Sequence, residues 1–259
     1  MGNPVVTSSG KPKIKPASGL SVREGGLDHS LGFLGESLSF VPLGPVRSEL
    51  YSAALALEDG DAAVLAAFRQ LQDAASKHRA FQNTREDSVI DGVQRAVINH
   101  LWPDTGDEET KFKTELAAPL LNIVNTIDQS RRVKLYDTGG RVLEFTVFVA
   151  ELKESKAHVL DGMPQAYLAG ATAALQLRRN GIVLEWCVVP VLVNTGISEL
   201  HGSVYLLDPS KPVFVATSKV FDLLSSADAL LAAKHRVASQ RFAGRVVGQL
   251  RRLSAANVR

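Results

Sequence analysis

The chain predicts an α/β fold, in which a helix, a hairpin, a second helix and a further strand form the centre and additional helices flank it. Three stretches carry that prediction. Arg141–Lys153 is an apolar, β-branched strand ending in two charges, and Met163–Arg179 carries an apolar stripe at helical spacing. Ile182–Val193 is a nearly unbroken apolar run, as in a strand covered on both faces. Strand, helix and strand in succession imply a right-handed crossover with sheet beneath the helix. At 259 residues and 45% hydrophobic content, the chain can bury a sizeable core.

Residues 1–45 are rich in Gly, Pro and Ser, and Lys11, Lys13 and Lys15 make a short basic run, so a flexible basic tail is expected. Residues 46–83 read as a helical extension, with Leu50, Leu55, Leu57, Val64, Leu65, Phe68 and Leu71 as apolar positions interrupted near Asp59-Gly60-Asp61. The main domain is expected over residues 84–225. Within it, Glu108–Ile127 sets Phe112, Leu116, Leu120, Ile123, Val124 and Ile127 at helical spacing, with Glu115 on a neighbouring position. Arg132–Asp137 alternates as a strand, and Asp137-Thr138-Gly139-Gly140 is a turn. A hairpin folded about Gly139 and Gly140 sets residues whose numbers sum to about 279 opposite one another. Asp128 then lies across from Glu151, and Asp137 sits at the turn.

Beyond the charged strand end, Glu154–Gly162 is a polar connection. The helix after it buries Ala166, Leu168 or Ala169, Ala173, Leu175 and Leu177, with Gln165 and Tyr167 in its first turn and Gly181 as its stop. A second hairpin is expected over Gly196–Val215, around His201-Gly202 and Asp208-Pro209. Residues 226–259 form a basic C-terminal helix. From Ala229 on, Lys234, Arg236, Arg241, Arg245, Arg251, Arg252 and Arg259 occur without an Asp or Glu. Leu231, Val237, Phe242, Val246, Leu250 and Leu253 run among them, as in an amphipathic helix docked by its apolar side.

Strand period two puts Leu143, Phe145, Val147, Val149, Glu151 and Lys153 on one face. A carboxylate and an ammonium on an otherwise apolar face need a partner or a metal if buried. The plain alternative is a strand running out into solvent, where charges cost nothing. The element order, the Glu-x-Lys and the following helix glutamine resemble the PD-(D/E)XK nuclease superfamily, whose restriction-endonuclease-like core is a helix, a three-stranded meander, a helix and a strand. Within it, the stretch from Thr84 to Leu224 looks most like the nuclease-like domains of Crinkler-type effectors. The resemblance implies that Glu151 and Lys153 are the Glu-x-Lys, Gln165 the helix glutamine and Glu115 the first-helix acid. It also implies a second acid ligand on the preceding strand. No Pro-Asp pair stands there, so the position is open between Asp128, which the hairpin geometry favours, and Asp137, which the family's usual spacing favours.

Carboxylates brought within a few ångströms repel unless they are neutralised or one takes up a proton. A divalent ion removes that penalty, and hard oxygen ligands suit magnesium or manganese. Such an ion acidifies and orients a water, while Lys153 would set a compact positive charge against the phosphate. Gln165 has no charge to offer and would hold a water or phosphate by hydrogen bonds.

Other chemistries are poorly served. A single cysteine, Cys187, excludes an intramolecular disulfide, and the histidines are scattered. Ser198, Glu199 and His201 fall in one predicted loop without a nucleophile-elbow pattern, and there is no Walker-type glycine loop. No apolar run is long enough for a membrane helix and the N-terminus has no secretory signal, so an intracellular protein of nucleus or cytoplasm is expected, with no membrane partner. The basic helix, through Lys234, Arg241, Arg245 and Arg252, would give salt-dependent contact with DNA or RNA. The leading expectation is a magnesium- or manganese-dependent phosphodiesterase on nucleic acid. A non-cutting nuclease-fold module that engages nucleic acid or a host protein is the alternative, and a structural nucleic-acid-associated protein is a third.

Overall fold

The computed structural model describes residues 14–16, 49–80, 105–118, 123–136, 139–154, 159–179, 187–208, 211–216 and 220–256. In chain order the described elements are β1 (Ile14–Pro16), α1 (Glu49–Leu55), α2 (Ala62–Ala80), β2 (Glu108–Ala118), β3 (Ile123–Tyr136) and β4 (Val142–Leu152). A 3-10 turn (Val159–Gly162) leads into α3 (Met163–Arg179), then β5 (Cys187–Asn194), β6 (Ser198–Asp208), β7 (Lys211–Ala216), β8 (Phe221–Asp222) and α4 (Ser226–Ala256). The fold is mixed α/β, built on one open mixed sheet ordered β1-β3-β4-β5-β6-β7, with β2 also on β3 and β8 on β6. Among the described strands only β4 and β5 pair in parallel, as a strand–helix–strand connection requires.

Where sequence and structure part, the pairing explains why. The helix expected over Glu108–Ile127 is replaced by β2 and the start of β3, which pair antiparallel from Glu108↔Val133 to Ala118↔Ile123. Leu116 is buried while Lys113 and Glu115 are exposed, a strand's two-residue alternation. Ile14–Pro16, expected in a loose tail, forms a strand on β3. His201-Gly202 is no turn: both residues lie within β6, facing Leu192 and Val191. The first part of the tail, Lys11 and Lys13, lies outside the described residues, as do Ile182–Trp186 and Pro209.

The hairpin of β3 and β4 has the expected register. Gln129 faces Ala150 and Arg131 faces Phe148; a bulge between Arg131 and Arg132 then shifts the pairing so that Tyr136 faces Val142. From Phe145 to Leu152 every residue of β4 is buried. Alternate residues divide between two cores: Val147, Val149, Val191 and Val193 pack with Ala166, Ala169 and Ala173 of α3. Phe148, Ala150 and Leu192 pack with Val64, Ala67 and Leu71 of α2 and with Ala232, Ala233 and Val237 of α4. The sheet is therefore covered on both sides along β4 and β5.

Local chemistry fixes the ends of these elements. Asp61 caps α2, its Oδ1 accepting the Ala63 N–H at 2.9 Å and the Val64 N–H at 3.3 Å. Small residues let α3 sit close to the sheet. A methyl group added at Gly170 would lie 2.7 Å from Val191 and 2.8 Å from Val204, which leaves room only for hydrogen there.

Candidate functional site

The end of β4 carries Glu151 and Lys153 out of the apolar core, on the side that α3 and the Val159–Gly162 turn cover. Continuing the register past Gln129↔Ala150 brings Asp128 of β3 alongside, and two contacts fix it there. The Leu152 N–H donates to Asp128 Oδ2 at 2.8 Å, and the Asp128 and Glu151 carboxyl groups lie within hydrogen-bonding reach of each other. Lys153 Nζ donates to Glu151 Oε1 at 2.5 Å. Gln165, in the first turn of α3, donates from Nε2 to the Thr126 carbonyl at 2.5 Å, tying that helix to the strand beside Asp128. The four side chains are almost closed to solvent: relative exposure is 6% at Asp128, 1% at Glu151, 7% at Lys153 and 6% at Gln165.

Burial pushes the Asp128 carboxyl above its ordinary range, against the opposing pull of the Leu152 amide, Lys153 and Lys113. The raise comes from burial alone, and the hydrogen-bonding interaction with Glu151 works in the opposite direction. Asp128 and Glu151 supply hard oxygen donors from adjacent strands, and magnesium commonly takes only one or two carboxylates, completing its shell with water and phosphate. Asp128 and Glu151 are the described residues that could hold such an ion here. Among the described residues no group of three His, Cys, Asp or Glu side chains converges on one point.

The other predicted residues are placed as follows. Glu115 is exposed on β2, paired with Thr126, so it comes from a strand and not from a first helix. Asp137 lies outside the described residues. Gly162 was not singled out by sequence. A methyl group there would lie 2.7 Å from Val193, 3.2 Å from Glu151 and 3.3 Å from Lys153, so the turn lies directly over the charged pair.

The basic helix α4 is less free than its sequence suggests. Lys234 is buried and pairs with Asp59 at 2.5 Å, Arg241 pairs with Asp61 at 2.8 Å, and Arg251 with Glu108 at 3.0 Å. The helix has no acids beyond its first turn, but acids far away in sequence come to it. Arg245 lies over the Phe242 ring at 4.9 Å, and Arg252 is exposed.

A second polar cluster includes Glu199 and His201, which are expected in one loop with Ser198 and stand instead on the strand β6. Asn194, Glu199, His201, His235 and Arg236 are all buried. Glu199 accepts from Arg236, from His201 Nε2 at 2.8 Å and from Asn194 Nδ2 at 2.5 Å. Burial alone would raise the Glu199 pKa, but Arg236 and His201 outweigh it and hold the carboxyl at about 2. The signal available was the alternation Glu199, His201, Ser203 along β6.

No described helix is long and apolar enough to cross a membrane. No protein-family profile, curated protein or solved structure matches this chain.

Proposed function

We propose that this protein is a metal-dependent phosphodiesterase acting on DNA or RNA, organised in the manner of the PD-(D/E)XK nucleases. The observation that carries this reading is the meeting of Asp128, Glu151 and Lys153 at the paired ends of β3 and β4. The antiparallel run β2–β3–β4, followed by α3 and by β5 parallel to β4, supports it, because the resemblance implies a meander, a helix and a strand in that order. The reading also carries an intracellular site of action, in nucleus or cytoplasm, where such substrates lie.

In this account Asp128 and Glu151 hold magnesium or manganese. When bound, the ion supplies Lewis acidity toward water and phosphate. Asp128 and Glu151 present their oxygens from one side and so set where a phosphate can approach. Lys153 exchanges its bond to Glu151 for the phosphate, offering a compact charge to the oxyanion as negative charge builds there. Gln165 keeps α3 against β3 and so holds the wall of the site. Arg245 and Arg252 offer phosphate contacts on α4, with Lys234 and Arg241 contributing only by leaving Asp59 and Asp61.

One observation favours a second reading, a nuclease-fold module that binds nucleic acid or a host protein without cutting. Lys153 Nζ is already paired with Glu151 Oε1 at 2.5 Å in a nearly closed space. Incubation with plasmid and single-stranded substrates in magnesium, manganese or EDTA, for the parent protein and for Glu151→Ala and Lys153→Ala, separates the two. Metal-dependent cleavage lost in both variants supports the enzyme; cleavage that ignores EDTA or survives both substitutions rejects it; binding without cleavage supports the module.

A further inference from the structure

Lys153 stands one residue past the end of β4, where the chain leaves the sheet, and Glu154 after it is exposed. The Lys153 backbone N–H donates to the Asn194 carbonyl at 2.9 Å. Asn194 is itself clamped. Its Oδ1 accepts the Gly196 N–H at 2.5 Å, within the tight turn that Gly196 closes at φ +87°, and its Nδ2 donates to Glu199 Oε1 at 2.5 Å. Glu199 is locked in turn, since Arg236 of α4 donates to both of its oxygens and His201 donates to Oε2.

We infer that Asn194, Glu199 and Arg236 form a buried positioning relay for Lys153, running from α4 through the β5–β6 turn to the candidate site on the other side of the sheet. The inference rests on the proposed function for its catalytic consequence, though the placement of Lys153 can be read without it. A carboxylate that receives the guanidinium, the imidazole and the amide together has no alternative orientation at low cost, because each displaced donor would be left buried and unpaired. The amide of Asn194 inherits that fixity and passes it to the carbonyl that Lys153 uses. None of these side chains touches a substrate; they act through the strand end.

The test compares the parent with Asn194→Ser, which keeps an acceptor near Gly196 but cannot reach Glu199. A double variant, Glu199→Met with Arg236→Met, removes the charged pair together and guards against a folding defect from one orphaned charge. In labelled protein, amide exchange at Lys153 is expected to quicken roughly tenfold or more in both, with Val149 and Val191 changed less than about threefold. With nucleic-acid substrate and magnesium, kcat should fall about tenfold and KM should stay within roughly threefold. Parental exchange at Lys153 in both variants overturns the relay, and so does exchange that rises equally at Val149 and Val191, which marks general loosening. Local loss of protection at Lys153 in a protein that cuts nothing keeps the relay and removes the proposed function.

Discussion

Replacing His235 with Phe should flatten the acid side of the stability curve, by an amount the structure sets. The imidazole is 1% exposed, packed among the rings of Tyr51, His201 and Phe221 with centroids 5.4, 5.2 and 5.2 Å away, and neither nitrogen has a hydrogen-bond partner among the described residues. Burial, reinforced by His201, lowers its pKa from 6.5 to about 3. Below pH 6.5 the unfolded chain therefore binds a proton that the folded chain refuses, and stability falls as pH falls. At pH 5 that loss is about 2 kcal/mol relative to pH 7.5, from one and a half pH units at roughly 1.4 kcal/mol each. His201, also lowered by burial, adds a loss of the same sign in both proteins. Asp128, raised by burial, acts in the opposite sense, equally in both. The window is kept above pH 5 because Glu199, held at about 2, loses its contribution only as pH falls from 4.5 toward that value. Urea unfolding of the parent and His235→Phe at pH 7.5 and pH 5 measures the difference. The variant should lose about 2 kcal/mol less than the parent across that range, and should gain about 1 kcal/mol at pH 7.5 because two unsatisfied nitrogens are gone. Equal losses in the two proteins would refute the reasoning.

Two further substitutions test the packing around the sites. Gly162→Ala forces a methyl to within 2.7 Å of Val193 and against Glu151 and Lys153, so a loss of about 1–3 kcal/mol is expected in denaturant titration; an unchanged midpoint would mean the turn does not lie over the pair. Glu199→Gln leaves the Arg236 guanidinium buried without its anion, and a loss of about 3–5 kcal/mol should follow. A loss below about 1 kcal/mol would show that solvent reaches Arg236.

Much of this architecture is written locally. The helix Met163–Arg179 is bounded as its apolar stripe predicts, and two glycines at 139 and 140 suffice to set the β3–β4 register that brings Asp128 to Glu151. Residues 108–127 were misread because Phe112, Leu116, Leu120, Ile123 and Ile127 satisfy a helical spacing even though the chain pairs as β2 and β3. What decides is the β-branched content around Thr110, Thr114 and Thr126 and the partner strand, and the partner is not local information. His201-Gly202 failed for a related reason: a glycine between polar residues reads as a turn until Val191 is seen opposite it. The loop reading groups Ser198, Glu199 and His201 but gives no sign that Glu199 and His201 are buried. The charge on α4 was legible and its neutralisation was not, because Asp59, Asp61 and Glu108 reach it from far away in sequence.

The account turns on Asp128 and Glu151 acting together, and one rate tests that most directly: plasmid cleavage in magnesium by Asp128→Asn, set beside the parent and Asp137→Asn. Asp128→Asn keeps an oxygen for the Leu152 N–H but removes the charge next to Glu151. Cleavage should fall at least about hundredfold in Asp128→Asn and remain near the parental rate in Asp137→Asn. Parental cleavage by Asp128→Asn would contradict the account.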